Sequence, residues 1–187
     1  MLARAFQEDP VNRYVLADPQ QRAARFPAVF VPFIRYGLRA GVALTTEASD
    51  CVAIWLPPEH REMRPELVIE SGLDSLPSVM GAEAADRLIG FIRHLEGIRR
   101  QEISGPHWYL MLLGVESPVR RCGIGSALVR AILDRADGEG HACYLETAQS
   151  ANLHFYESHG FASLGERVEP RSGLRFWPFQ RTPNHSR

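Results

Sequence analysis

The chain has 187 residues, 45% of them hydrophobic, and its 21 Lys and Arg nearly balance 22 Asp and Glu for a formal net charge of −1. That length suits one domain, 1–187, with a sizeable core, and the even charge leaves no basic excess to hold nucleic acid or an anionic membrane surface. Cys51, Cys122 and Cys143 are odd in number, widely spaced and without a C-x-x-C pair, which argues against a disulfide framework or a zinc site and for a reducing cytoplasm.

Near the N-terminus, Arg4, Glu8 and Asp9 and the short apolar run from Ala28 to Ile34, broken by Pro32, support neither a signal peptide nor a membrane span. Met1 to Gln7 reads as a helix, and Gln20 to Ala40 as a longer one that Pro27 and Pro32 should kink or break. Val42 to Thr46 and Cys51 to Leu56 are rich in β-branched and apolar residues and read as a strand pair. Ala82 to Glu102 follows as an amphipathic helix, with Leu88, Phe91, Ile92, Leu95 and Ile98 at helical spacing.

Gly105-Pro106 marks a change of character, dividing 1–104 from 105–181, with a disordered tail expected over 182–187. The run from Trp108 to Val115 is apolar throughout, as expected of a strand buried on both faces. Gly114 inside it marks a bulge or a close approach by a ligand or another backbone. Gly123 to Asp137 carries Ile124, Leu128, Ala131 and Ile132 on one helical stripe, stopped by Gly138 and Gly140. Ala142 to Thr147 is a second buried strand, Ala151 to Ser158 a short helix, and Phe161 to Val168 with Leu174 to Gln180 a final hairpin. Strand, helix, strand at the centre implies a parallel pair inside a mixed α/β sheet.

Between the first buried strand and the following helix lies Arg120-Arg121-Cys122-Gly123-Ile124-Gly125-Ser126. Glycines allow close backbone approach, and free N–H groups at a helix start favour a phosphate; both arginines can add charge-assisted bonds to a diphosphate. An ordinary glycine-rich turn with two solvated arginines is the plainer alternative. A dinucleotide fingerprint would need glycine where Leu128 stands, and a phosphate-loop NTPase would need Gly-Lys followed by Ser or Thr. Neither is present.

Leu113 to Gly125, followed by Glu146, Asn152 and Phe155-Tyr156-Glu157-Ser158-His159-Gly160-Phe161, resembles the acetyl-CoA-binding core of the GNAT superfamily. The family's pyrophosphate loop runs Gln or Arg, two variable residues, Gly, one variable residue, then Gly or Ala, and Arg120 to Gly125 matches it at each position. Within the superfamily the look is similar to puromycin N-acetyltransferase-like proteins, through Ala5-Phe6, Asp9-Pro10, Val52 to Pro57 and Tyr144 to Thr147. The resemblance implies a mixed, mostly antiparallel sheet with one central parallel pair splayed around the cofactor and helices on both faces. Its usual first strand is missing here, since the chain starts in a helix.

On that resemblance, acetyl-CoA is the co-substrate and no metal is required. Leu113, Gly114 and Val115 would bond the acetyl carbonyl and pantetheine through their backbone. Arg120, Arg121, Cys122, Gly123, Ile124, Gly125 and Ser126 would hold the diphosphate, and Asn152 would help hold the cofactor. Tyr156 would protonate the departing thiolate and Glu146 would accept the amine proton. Plainer readings stand beside these: Tyr156 as a core aromatic, Glu146 as a solvated charge at a strand end, Cys122 as loop filler, His154 and His159 on a helix surface or cap. Tyr36, Arg35 and Trp108 are candidates for the acceptor pocket. The expected function is direct acetyl transfer to a primary amine of a small molecule, by a monomer or homodimer; a non-catalytic acyl-CoA-binding module and an acetyltransferase of protein amines are the rivals.

Overall fold

The computed structural model describes residues 1–60 and 62–184. Helices α1 (Leu2–Ala5), α2 (Pro10–Val15) and α3 (Pro19–Ala40) come first, then strands β1 (Val42–Thr45) and β2 (Cys51–Leu56). Helices α4 (Pro65–Ser71), α5 (Leu76–Met80) and α6 (Ala82–Glu102) lead to β3 (His107–Val115), α7 (Ile124–Glu139), β4 (Ala142–Thr147) and α8 (Leu153–Glu157). Strands β5 (Ala162–Ser163), β6 (Arg167–Val168) and β7 (Arg175–Arg181) close the described chain.

Asp9 starts α2: its carboxylate accepts from Val11 N at 3.0 Å and Asn12 N at 3.4 Å, with Pro10 in the first turn, where a missing N–H costs nothing. Asp18 and Pro19 repeat the device at α3. Contrary to the sequence expectation, α3 runs unbroken through Pro27 and Pro32. The carbonyls those prolines leave unpaired belong to Ala23 and Ala28, both exposed, so water can serve them. The opposite stripe, including Phe26, Val29, Phe30 and Tyr36, is buried and holds the helix to the sheet. Helices α2, α4 and α5 are too short to show a period of their own.

The sheet order is β1-β2-β3-β4-β7-β5, with β6 also on β7. Among the described residues only β3 and β4 are parallel, joined through α7. No strand precedes α1 among the described residues, and β1 is the sheet's edge. The expected final hairpin is interrupted: β7 takes two short partners, β5 and β6, on either side of a break at Gly165, whose φ is +93°. Of the expected tail, residues 185–187 lie outside the described residues, while Asn184 N donates to Asp137 Oδ1 at 2.7 Å.

Alternation along the strands divides the interior between two faces. Val52, Leu56 and Tyr109 pack with Phe26, Val29, Phe30, Met80 and Leu88 under the N-terminal helices. Ala53, Trp55, Trp108 and Leu110 pack with Val129, Ile132, Leu133 and Ala136 of α7. The β2–β3 register slips between Ile54 and Trp55, which face Leu112 and Leu110 and leave Met111 unmatched. The bulge is therefore at Met111, not at the glycine, and it puts Met111 and Leu112 consecutively against the same cluster. Gly114 pairs regularly with Val52. What needs a glycine there is α1: a Cβ would stand 2.5 Å from Leu2 Cδ2 and 2.9 Å from Phe6 Cε2.

Candidate active site

The parallel ladder is short. Strands β3 and β4 pair at His107↔Ala142, Trp108↔Cys143 and Tyr109↔Tyr144 and no further, although β3 continues to Val115 and β4 to Thr147. Beyond the tyrosines the two strands part, and the last third of β3, Leu113 to Val115, lies along the opening.

The loop after β3 forms one side of that opening. Arg120 to Gly123 are exposed, Arg121 and Gly123 have left-handed φ of 65° and 81°, and Gly123 caps α7 without any side-chain hydrogen bond to the helix start. Such a backbone gathers N–H groups into an anion-binding concavity. Gly125 is close to its limit of size, since a Cβ would lie 3.2 Å from Val115 Cγ2. Arg120 does not simply reach outward: Nε donates to Val115 O at 3.1 Å and Nη2 to Ala5 O at 2.9 Å. It ties the loop to the end of β3 and to α1, which Arg4 also fastens by pairing with Glu116. Cys122 is exposed, its Sγ 3.7 Å from Arg120 O.

Behind the opening is a cavity of about 230 Å3 that runs under the N-terminal helices and is walled by Leu110 to Leu113, Glu146, Asn152 and Tyr156 on the sheet side. Glu146 is half-buried as a residue, but its Oε1 is enclosed, so the solvated-charge reading fails. Burial raises its pKa to about 7, against the opposing pull of Arg99 and the Tyr109 and Tyr144 phenols, with Glu96 adding to the rise. The phenols lie close enough to favour the charged carboxylate, yet Glu146 Oε1 and Tyr144 Oη make no hydrogen bond of ordinary geometry. A buried carboxyl with unused acceptor capacity, losing its proton near neutrality, is suited to general base work.

Tyr156 is buried in the second core, its ring 5.8 Å from Phe179 and 6.2 Å from Phe161, and it also lines the cavity. It is thus a core aromatic with its edge on the opening. Burial, reinforced by the Asp9 carboxyl, pushes its phenol well above the usual range, so it stays protonated and able to donate. Asn152, exposed at the start of α8, lines the same cavity.

Several expected positions lie elsewhere. Tyr36 is fully buried with its hydroxyl accepting from Arg64 N at 3.0 Å, and Trp108 is buried with Nε1 donating to Glu139 Oε2 at 2.9 Å; neither they nor Arg35 line the cavity. His154 is exposed, whereas His159 is buried, Nδ1 2.7 Å from Phe155 O. Sequence reading missed Glu96 and Arg99, one turn apart on α6 and both in the cavity wall. Arg99 sits 3.9 Å over the Tyr109 ring. A charged pair three residues apart on the buried side of an amphipathic helix was the available signal. Among the described residues no group of three or more His, Cys, Asp or Glu could hold a metal ion.

A mixed sheet parted at its parallel pair, with a glycine loop opening a helix beside it, is the arrangement of an enzyme of the N-acetyltransferase class, and the family match bears that out. The model of the acetyltransferase (GNAT) family matches residues 43–161, and the chain belongs to that family. It is similar to an uncharacterised N-acetyltransferase of Schizosaccharomyces pombe, 26% identical over 168 residues that span 86% of this chain and 67% of that protein. A solved Corynebacterium glutamicum structure, described as histone acetyltransferase HPA2 and related acetyltransferase, superposes with a TM-score of 0.65 at 25% identity, over 98% of this chain and 87% of that one. Arylalkylamine N-acetyltransferase 2 of Aedes aegypti shares the fold at 13% identity and a TM-score of 0.58, over 98% and 91% of the two chains.

Proposed function

We propose that this acetyltransferase moves an acetyl group from acetyl-CoA directly to a primary amine of a small molecule. The observation that carries the reading is Glu146: a buried carboxyl standing in the same cavity as the Tyr156 phenol, where β3 and β4 part. Acetyl-CoA supplies an activated thioester. The features present fit it: a strand edge at Leu113, Gly114 and Val115 for the pantetheine and acetyl carbonyl, left-handed backbone at Arg121 and Gly123 with the amides from Cys122 to Ser126 for the diphosphate, and Asn152 beside the opening. Arg120 acts by fixing the loop.

Glu146 takes one proton from the incoming ammonium. The neutral nitrogen attacks the thioester carbonyl, the C–N bond forms and the C–S bond breaks. Tyr156 gives its proton to the leaving thiolate, and the proton the nitrogen sheds next restores the phenol through solvent. The first half of the chain, 1–104, supplies most of the acceptor wall. A cavity lined mainly by apolar side chains with a few convergent polar groups favours a small acceptor over an extended protein segment. The histone acetyltransferase description of one similar structure keeps protein amines as the second reading. Three free cysteines fit a reducing cytoplasm.

Calorimetry with acetyl-CoA tests the reading, on the wild type and on Gly123→Trp, which puts a bulky side chain where φ is left-handed and the loop meets the diphosphate. Tight wild-type binding, lost in a variant of unchanged circular dichroism, supports the site. No wild-type binding sinks it.

A further inference from the structure

Helix α6 turns Leu88, Ile92 and Leu95 into the cavity at helical spacing, and the next position of that stripe is Arg99, which is 4% exposed. The arginines on either side of it along the helix, Arg93 and Arg100, are in solvent. A guanidinium where the period calls for an apolar side chain is costly unless a carboxylate compensates it. Three acidic residues line the same cavity: Asp9, Glu96 and Glu146. Asp9 heads α2, accepting from the amides of Val11 and Asn12, and its carboxyl bears on the Tyr156 phenol. Glu96 stands a helical turn before Arg99 on α6. Glu146 reaches the cavity from β4.

Arg99 and Glu146 are linked through two rings. The guanidinium carbon lies 3.9 Å from the centroid of the Tyr109 ring, a cation–π seat that holds the cation against β3. Tyr109 pairs in register with Tyr144, and Glu146 follows Tyr144 by one period of the strand face. Tyr109, like Arg99 and Glu146, lines the cavity. The remaining elements around the carboxyl bring no further cation to the lining among the described residues: β7 sets Pro178 opposite Glu146 and Phe176 in the wall, α8 brings Tyr156, and His94 of α6 packs on Phe176 outside the lining. Arg99 lowers the proton affinity of Glu146, and Glu96 raises it.

Resting on the acyl-transfer reading above, we infer that Arg99 is a positioning residue of the reaction: seated on the Tyr109 ring, its guanidinium holds the Glu146 side chain in the cavity as a carboxylate, ready to take the proton of the incoming ammonium. Tyr109 supplies the platform, and Glu96 opposes the effect. Arg99 acts through Glu146 and takes no proton itself.

Carbon-13 NMR of the whole chain, labelled at the glutamate side-chain carboxyls, follows Glu146 through pH, its resonance assigned by its loss in Glu146→Gln. Arg99→Gln is expected to raise the midpoint by about one pH unit, a tenfold gain in proton affinity, and Glu96→Gln to lower it. Arg99→Lys restores the charge and should recover most of the shift. Tyr109→Phe keeps the platform and should move the midpoint less than Tyr109→Leu, which removes it. Arg99→Met, of similar length, replaces Arg99→Gln if that variant does not fold. Initial rates with acetyl-CoA and hexylamine should show the rising limb of kcat/KM displaced by the same interval as the resonance. A midpoint unmoved without Arg99, one moved as far by lysine as by glutamine, or a rate limb that stays while the resonance moves overturns the inference. Calorimetry with acetyl-CoA separates the two readings: with wild-type binding intact, those results leave the acetyltransferase standing, whereas failure of the wild type to bind overturns both.

Discussion

Tyr109 and Tyr144 are the last partners in register between the parallel strands, their ring centroids 6.3 Å apart, and Glu146 follows Tyr144 by one period of the same strand face. The two phenols therefore border the carboxyl at the point where the strands part, and they favour its charged form. The rate should accordingly rise with pH to a midpoint of about 7. Glu146→Gln should lose roughly 10²- to 10⁴-fold in kcat/KM and lose that limb, and Tyr144→Phe should shift the midpoint upward. A pH–rate profile of the three proteins checks this; a limb persisting in Glu146→Gln would assign it to another group.

Tyr156→Phe keeps the ring packed against Phe161 and Phe179 and removes only the proton donor. It is expected to lower kcat about 10²-fold with acetyl-CoA affinity and thermal midpoint little changed. Equal activity of the two proteins would return Tyr156 to a packing role alone.

Stability carries the same carboxyl's signature. Its folded pKa of about 7 lies above its ordinary value of 4.5, so between those values the native state holds more proton than the unfolded chain. Unfolding free energy then falls as pH rises through that window. Glu146→Gln, which cannot ionise, should melt at a higher temperature than the wild type at pH 8 and at a similar one at pH 4.5, as calorimetric scans would show.

Gly114→Val puts atoms where Leu2 and Phe6 now sit. Those are side-chain ends on a short helix, so α1 can yield instead of β3. An overpacking loss of about 1–3 kcal/mol is expected in urea denaturation. Pairing it with Leu2→Ala should recover part of the loss.

The C-terminal half was legible because each element there announces itself. β4 opens on an apolar run from Ala142 to Leu145 and has the bounds the sequence suggests, as does α6 in the first half, through its clear 3.6-residue period. The loop at Gly123 could be read because only certain residues tolerate its backbone. The N-terminal half was harder for physical reasons. Helices α2, α4 and α5 have five to seven residues, too few for a period, and are held by caps and tertiary contact. Pro27 and Pro32 pointed to a kink or break in α3, but the residues whose carbonyls they leave unpaired, Ala23 and Ala28, are exposed, while Pro32 itself packs on the buried side. The placement of Glu96 and Arg99 in the cavity wall, and the enclosure of Glu146, depend on which helix covers the sheet. Local sequence does not encode that.

Arg120 joins regions that a reader of the loop alone would keep apart. Its guanidinium holds the carbonyl of Ala5, and the next residue, Phe6, lines the cavity with its ring 5.5 Å from that of Phe30. The anchor of the loop before α7 is thus one peptide bond from a residue of the cavity wall. Whatever steadies the loop also steadies that wall, so Phe6, at the end of a helix of only four residues, draws its rigidity from the far side of the sheet opening, and the two sides of the opening share a single mechanical footing.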